Sequence, residues 1–281
     1  EREGRPLNAR NIGQKAAEIL DKWKAVENHE LFGPDTSLIL FTHEEKDFNN
    51  EAIVNRLYLR TGGRPEKILA NEKGVKMVSA AEAERTARQW HEAHGGEFNQ
   101  PYFEKLMGNK DRVNRSKMIA LYAIAGAKGP TTILFSGHGS RENCAFAANQ
   151  TGVLKEKTDD DPEAINYKEL GDALIESGNM GNFNLIGATC LSYDYLQNLF
   201  AYLKSKGVES RPKISISAAN EAKYGWMRRD AYDGLGDILL KTIYIWSMVE
   251  PGRNITVETF FHAEAEEEVW KNEDPVLFVG N

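Results

Sequence analysis

"TTILFSGHGS", residues 131–140, is an apolar run that stops abruptly at Ser136, Gly137, His138, Gly139 and Ser140. A short apolar run closed by glycines reads as a buried strand, here ending on a histidine held between two residues without side chains. "NFNLIGATCLS", residues 182–192, repeats the pattern. Its apolar run from Phe183 to Ile186 ends on small residues and Cys190, 52 positions after His138 (190 − 138). In an open parallel sheet, functional groups gather beyond the carboxyl ends of the strands, so adjacent strands would bring His138 and Cys190 into one site.

The chain around these two strands alternates helix and strand. Ile12, Ala16, Ile19, Leu20 and Trp23 fall at helical spacing, and Gly33-Pro34 breaks the chain ahead of the β-type run "SLILF" at 37–41. Helices are expected near 50–60, 80–93, 113–126, 167–177, 193–206, 233–248 and 256–270. Strands are expected at 67–70, 131–136, 183–187, 213–217 and 275–279. This order predicts a doubly wound α/β domain with a mostly parallel sheet. Without a repeat or a long linker, residues 1–281 read as one domain, with 1–30 as an N-terminal helical extension and "KEKTDDDPE" at 155–163 as an exposed loop near the mouth of the site.

The bulk properties narrow the function classes. A hydrophobic content of 41% suits a globular core, and a net charge of −7 lacks the basic footprint that nucleic acid selects. With only Cys144 and Cys190, there is neither a disulfide framework nor a CxxC zinc pair. No apolar run approaches the roughly 20 residues of a membrane-spanning helix, and "EREGRPLNAR" has no signal-peptide core. The expectation is a soluble chain, with an upstream segment removed before Glu1; its compartment is left open, secretion included.

An imidazole that takes the thiol proton raises the nucleophilic thiolate fraction of a nearby cysteine. Gly137 and Gly139 permit unusual backbone angles and leave room for a substrate carbonyl. The N–H groups of Gly139 and Cys190 could then form an oxyanion hole. Taken singly, a buried cysteine is usually a small hydrophobe and a histidine near a strand end a packed or solvated side chain. The pair is more specific, because caspase-type peptidases place the histidine about 50 residues before the cysteine. Cys144 lies outside any predicted strand end and is expected to have a structural or surface role. His91 and His94, three apart on a helix, have metal-ligand spacing without an accompanying carboxylate or cysteine signature, and a solvated face is expected. No phosphate loop and no GxSxG elbow is present.

With these residues in place, the chain from about Ser37 onward resembles the caspase-hemoglobinase group of cysteine peptidases, most closely the legumain family, which includes the catalytic subunit of the glycosylphosphatidylinositol transamidase. "ILFSGHGS" and "LIGATCLS" look like the histidine and nucleophile strands. "KLMGNKDRVNRSKM", "SISAANEAKYG", "LGD" at 235–237 and "PVLFVGN" support the likeness. The resemblance implies a three-layer α/β/α sandwich with a six-stranded, mostly parallel sheet, no metal and no organic cofactor. It implies a cysteine endopeptidase acting on a peptide or protein substrate, His138 as base and Cys190 as nucleophile. A transpeptidase or ligase of the same family, or a non-catalytic binding module on the same fold, are the alternatives.

By the same likeness, "KDFNNEA" puts Asp47 where the family has a residue that orients the histidine. Ser217, Asn49, Asn50, Ala188 and Asp237 fall at substrate-binding positions. The family's pocket arginine is replaced by Asn49, its histidine neighbour by Asn50 and an acidic group by Ala188, with Asp237 kept and Lys223 near the rim. Legumain's asparagine specificity therefore is not carried over. The chain stops at Asn281, just after the resembling core, so latency would come from a prosegment, the 155–163 loop or an inhibitory partner.

Overall fold

The computed structural model describes residues 17, 20–33, 36–42, 77–94, 98–146, 164–189, 191–217, 255–258 and 276–280. Its centre is β5 (Thr131–Gly139), entered through Gly129-Pro130 and carrying Ile133, Leu134 and Phe135, all buried. Burial of consecutive residues on both faces marks an interior strand of a parallel sheet. β2 (Ser37–Thr42) pairs parallel with one side of β5, Ser37 opposite Thr131 through Thr42 opposite Ser136. β8 (Phe183–Thr189) pairs parallel with the other side, followed by β9 (Ile214–Ser217), parallel, and β11 (Val276–Val279), antiparallel. Five of the six expected strands are thus neighbours; the sixth, at 67–70, lies outside the described residues.

The two faces of this sheet are covered differently. Ile39, Phe41, Ile133, Phe135, Phe183 and Leu185 join one large buried cluster with four helices: α1 (Ala80–His94), α3 (Arg115–Gly126), α4 (Tyr167–Ser177) and α5 (Ser192–Ser205). A shorter helix, α2 (Gln100–Met107), adds Tyr102, Phe103 and Met107. On the opposite face Thr132 and Asn184 alternate with these residues. The Thr132 hydroxyl donates to the Leu31 carbonyl, and Asn184 Nδ2 donates to the Glu30 carbonyl at 3.2 Å. Those carbonyls belong to β1 (Glu30–Phe32), which forms an antiparallel ribbon with β10 (Ile255–Thr256). The described end of the expected N-terminal extension is therefore packed onto the sheet, with Val26 buried and Glu30, expected to be helical, in β1.

Local signals account for the element boundaries. Asn166 and Glu169 form a reciprocal capping box at the start of α4, and Gly178 ends it in the left-handed region at φ 67°. Asn114 caps α3 by accepting from the Lys117 N–H. Residues 113–114, expected as the first positions of that helix, belong instead to β4 (Arg112–Asn114), which pairs antiparallel with β3 (Met77–Ser79). Position 256, expected at a helix start, is in β10. The sheet is also longer than expected. β6 (Asn143–Phe146) and β7 (Ile165–Asn166) extend it from the end of β5. The whole is a mixed α/β protein with a mostly parallel central sheet.

Candidate active site

β5 and β8 run in register from Thr131 opposite Phe183 to Gly137 opposite Thr189. The next residue along each strand is one of the pair singled out above. His138 is still within β5, but its backbone partner is now Phe146 of β6, with a register shift between His138 and Gly139. β5 therefore changes partners at Gly137, and an irregularity of this kind bends a strand and re-aims its side chains. Gly139 is buried and lies opposite Cys144.

Cys190 lies outside the described residues; its two chain neighbours, Thr189 and Leu191, are described. Thr189 is buried at the end of β8. Leu191 sits in the left-handed region at φ 54°, ψ 23°, alone in this among the described non-glycine residues. That conformation costs a leucine about 1–2 kcal/mol. α5 begins at the next residue, Ser192, and a Cβ placed on Gly187 would lie 2.8 Å from Ser192 Cβ. No side chain caps the start of α5, and the Asp194 carboxylate in its first turn faces the positive end of the helix dipole.

Ala188 lies in β8 opposite Ser136. Ser217, fully buried, ends β9 level with Gly187 on one side and Val276 on the other. The structure thus brings His138, Gly139, Ala188 and Ser217 to one edge of three neighbouring strands. Asp47, Asn49, Asn50, Asp237 and Lys223 lie outside the described residues, as do 155–163 and the helices expected at 50–60 and 233–248. β2 does end at Thr42 on the same edge, and Asp47 follows five residues later in the chain.

One sequence expectation is extended and one is corrected. Cys144, which lies outside any predicted strand end, is the strand partner of Gly139, because a turn at 140–143 folds the chain back beside β5. The signal was present: Ser140 Oγ accepts from the N–H of Asn143 at 3.0 Å and of Glu142 at 3.3 Å, a local bonding mode common to serine turns. His91, expected on a solvated face, is buried, with its ring 5.1 Å from that of Tyr122 and 5.2 Å from that of Trp90, edge to face. The packing of α1 against α3 buries that face of α1.

Displaced protonation occurs away from this edge. Burial raises the Tyr102 phenol, with Asp172 and Glu176 adding to the effect, and burial also raises Tyr122. Tyr202 is pushed up to about 12 by burial and by its hydrogen bond to Asp172. A depression of about 450 Å³ between Leu174, Met180 and Val208 lies at the opposite, amino-terminal end of β8 and contains no titratable side chain. Among the described residues no group of three or more His, Cys, Asp or Glu is placed to hold a metal ion, and no helix is long and apolar enough to cross a membrane.

Comparison with protein-family models, with curated proteins and with solved structures finds no match to this chain.

Proposed function

We propose that this chain is a cysteine endopeptidase of the caspase-hemoglobinase type, with Cys190 as nucleophile and His138 as general base. The observation that carries the reading is the β5–β8 register, in which His138 and Cys190 each follow the last paired residues, Gly137 and Thr189, of adjacent parallel strands. The turn at Leu191 adds support, since strain of this kind clusters at functional sites.

In the proposed reaction the His138 imidazole accepts the Cys190 thiol proton, and the thiolate sulfur attacks the scissile carbonyl carbon. The N–H groups of Gly139 and Cys190 hold the resulting oxyanion. Collapse breaks the C–N bond, the leaving amine takes the proton from the imidazolium, and a thioester remains on Cys190. Water, deprotonated by His138, then attacks the thioester and releases the acid and the thiol. Asp47 would accept the second imidazole N–H and hold the ring in its productive tautomer.

The test is a fluorogenic peptide panel with Cys190→Ala and His138→Ala. Each variant is expected to lose at least about 10³-fold in kcat/KM with unchanged circular dichroism. Activity within about tenfold of wild type in either folded variant would sink the assignment. Iodoacetamide should also label Cys190 much faster than Cys144, and His138→Ala should remove the difference.

A further inference from the structure

The β5–β8 ladder ends at Gly137 and Thr189, so it does not itself hold the residues beyond. A second set of contacts ties those two chain ends together. Arg141, three residues after His138, donates from Nε to Asp194 Oδ2 at 3.1 Å, and Asp194 is four residues after Cys190. One turn further along α5, Asn198 Nδ2 donates to the Arg141 carbonyl at 2.8 Å. Between them, the Tyr195 hydroxyl donates to the Ile165 carbonyl of β7 at 3.3 Å. Residues 194, 195 and 198 share one side of a helix, so one face of α5 grips the turn and ribbon that continue from β5.

We propose that Asp194 and Asn198, acting through Arg141, are positioning residues that set the geometry between His138 and Cys190. The inference rests on the cysteine-peptidase reading above. The turn that contains Arg141 is itself tight, with the Ser140 N–H donating to the Asn143 carbonyl at 2.7 Å. A restraint applied at Arg141 therefore passes to Gly139 and His138 through only a few backbone bonds. A purely stabilising role fits the exposure poorly. The Arg141 side chain is 66% exposed, and an ion pair so open to solvent contributes little to global stability. Its leverage is local, where a misplacement of about 1 Å can cost about 10²-fold in rate.

The experiment follows Cys190 alkylation by iodoacetamide from pH 5 to 9, resolved by peptide mass spectrometry, alongside kcat and KM. Wild type should show an inflection well below the value of a free thiol, about 8.5, and His138→Ala should return it there. Asn198→Ala and Asp194→Asn should each move the inflection part of the way and lower kcat about tenfold. KM should stay near wild type and the melting temperature within about 3 °C. Asp194→Glu, which keeps the carboxylate, should recover most of what Asp194→Asn loses. Wild-type inflections and kcat in both variants, or losses that only track melting temperature, would overturn the positioning role while leaving the peptidase reading intact. A wild-type Cys190 that titrates as a free thiol and ignores His138→Ala would overturn both.

Discussion

Leu191 has a conformation that its own chemistry opposes. A left-handed backbone is tolerated by asparagine, strained for leucine and worst for β-branched residues. Leu191→Ile keeps the side-chain volume but adds a branch at Cβ, so it should destabilise by about 1–2 kcal/mol. Leu191→Asn should cost less than Leu191→Ile, with urea midpoints as the measurement; the reverse order would mean that side-chain packing, not φ, dominates the position. Specificity is the second question at this scale. If the pocket lacks the arginine replaced by Asn49 but keeps Asp237, a substrate carboxylate beside Asp237 meets repulsion and desolvation worth several kcal/mol. Cleavage after a basic or neutral residue is therefore expected, and efficient cleavage after Asp in the peptide panel would show the pocket assignment to be wrong.

Elements meet in this protein at contacts that leave little room. Gly187 of β8 faces the first residue of α5, and an added methyl would lie 2.8 Å from Ser192 Cβ, an atom that cannot move without the helix. Gly187→Ala should cost about 1–3 kcal/mol through overpacking. On the proposed reading it should also lower kcat, because the displaced helix begins two residues after Cys190 in the chain; intact activity with a lowered melting temperature would separate the two. A second junction joins α3 to α4. Lys117 Nζ, on a nearly buried side chain, lies 2.7 Å from Glu169 Oε2, and the same carboxylate oxygen accepts the Asn166 N–H of the α4 capping box. Glu169→Ala removes the carboxylate half of the capping box and this counter-charge together, for an expected loss of about 3–5 kcal/mol. Lys117→Met, which fills the space without a charge, should cost less in the same denaturant experiment.

For the whole molecule, the raised tyrosines set an alkaline limit. Tyr102, Tyr122 and Tyr202 have folded pKa values above the unfolded value of 10. The neutral phenols are thus favoured by folding, and this contribution is complete below pH 10. It is lost as pH rises through the Tyr202 value of about 12. Stability should be flat up to about pH 9 and fall above 10. Absorbance at 295 nm should show these three phenols ionising together with the loss of far-UV circular dichroism, while exposed tyrosines among the ten in the chain ionise earlier. Early ionisation of all ten in the folded protein would contradict the buried cluster around Tyr102, whose hydroxyl has no hydrogen-bond partner among the described residues.

Among the described residues, the amino-acid sequence by itself determined five strands of the central sheet and four of the helices α1–α5, all but α2, because apolar periodicity, capping asparagines and glycine stops act over a few residues. The spacing predicts α4 at its observed bounds, 167–177, whereas the strands expected at 131–136 and 183–187 stop three and two residues short of the ends of β5 and β8. Only the tertiary structure decided which strands are neighbours, that β5 changes partner at Gly137, that Cys144 returns beside Gly139, and that Leu191 is held left-handed. It also decided that His91 is buried and that Arg141 meets Asp194, 53 residues away. The short strands β1, β4, β7 and β10, of two or three residues each, have too few positions to show a period. They form because a neighbouring backbone satisfies their N–H and C=O groups, and that neighbour is chosen by the packing of the whole chain.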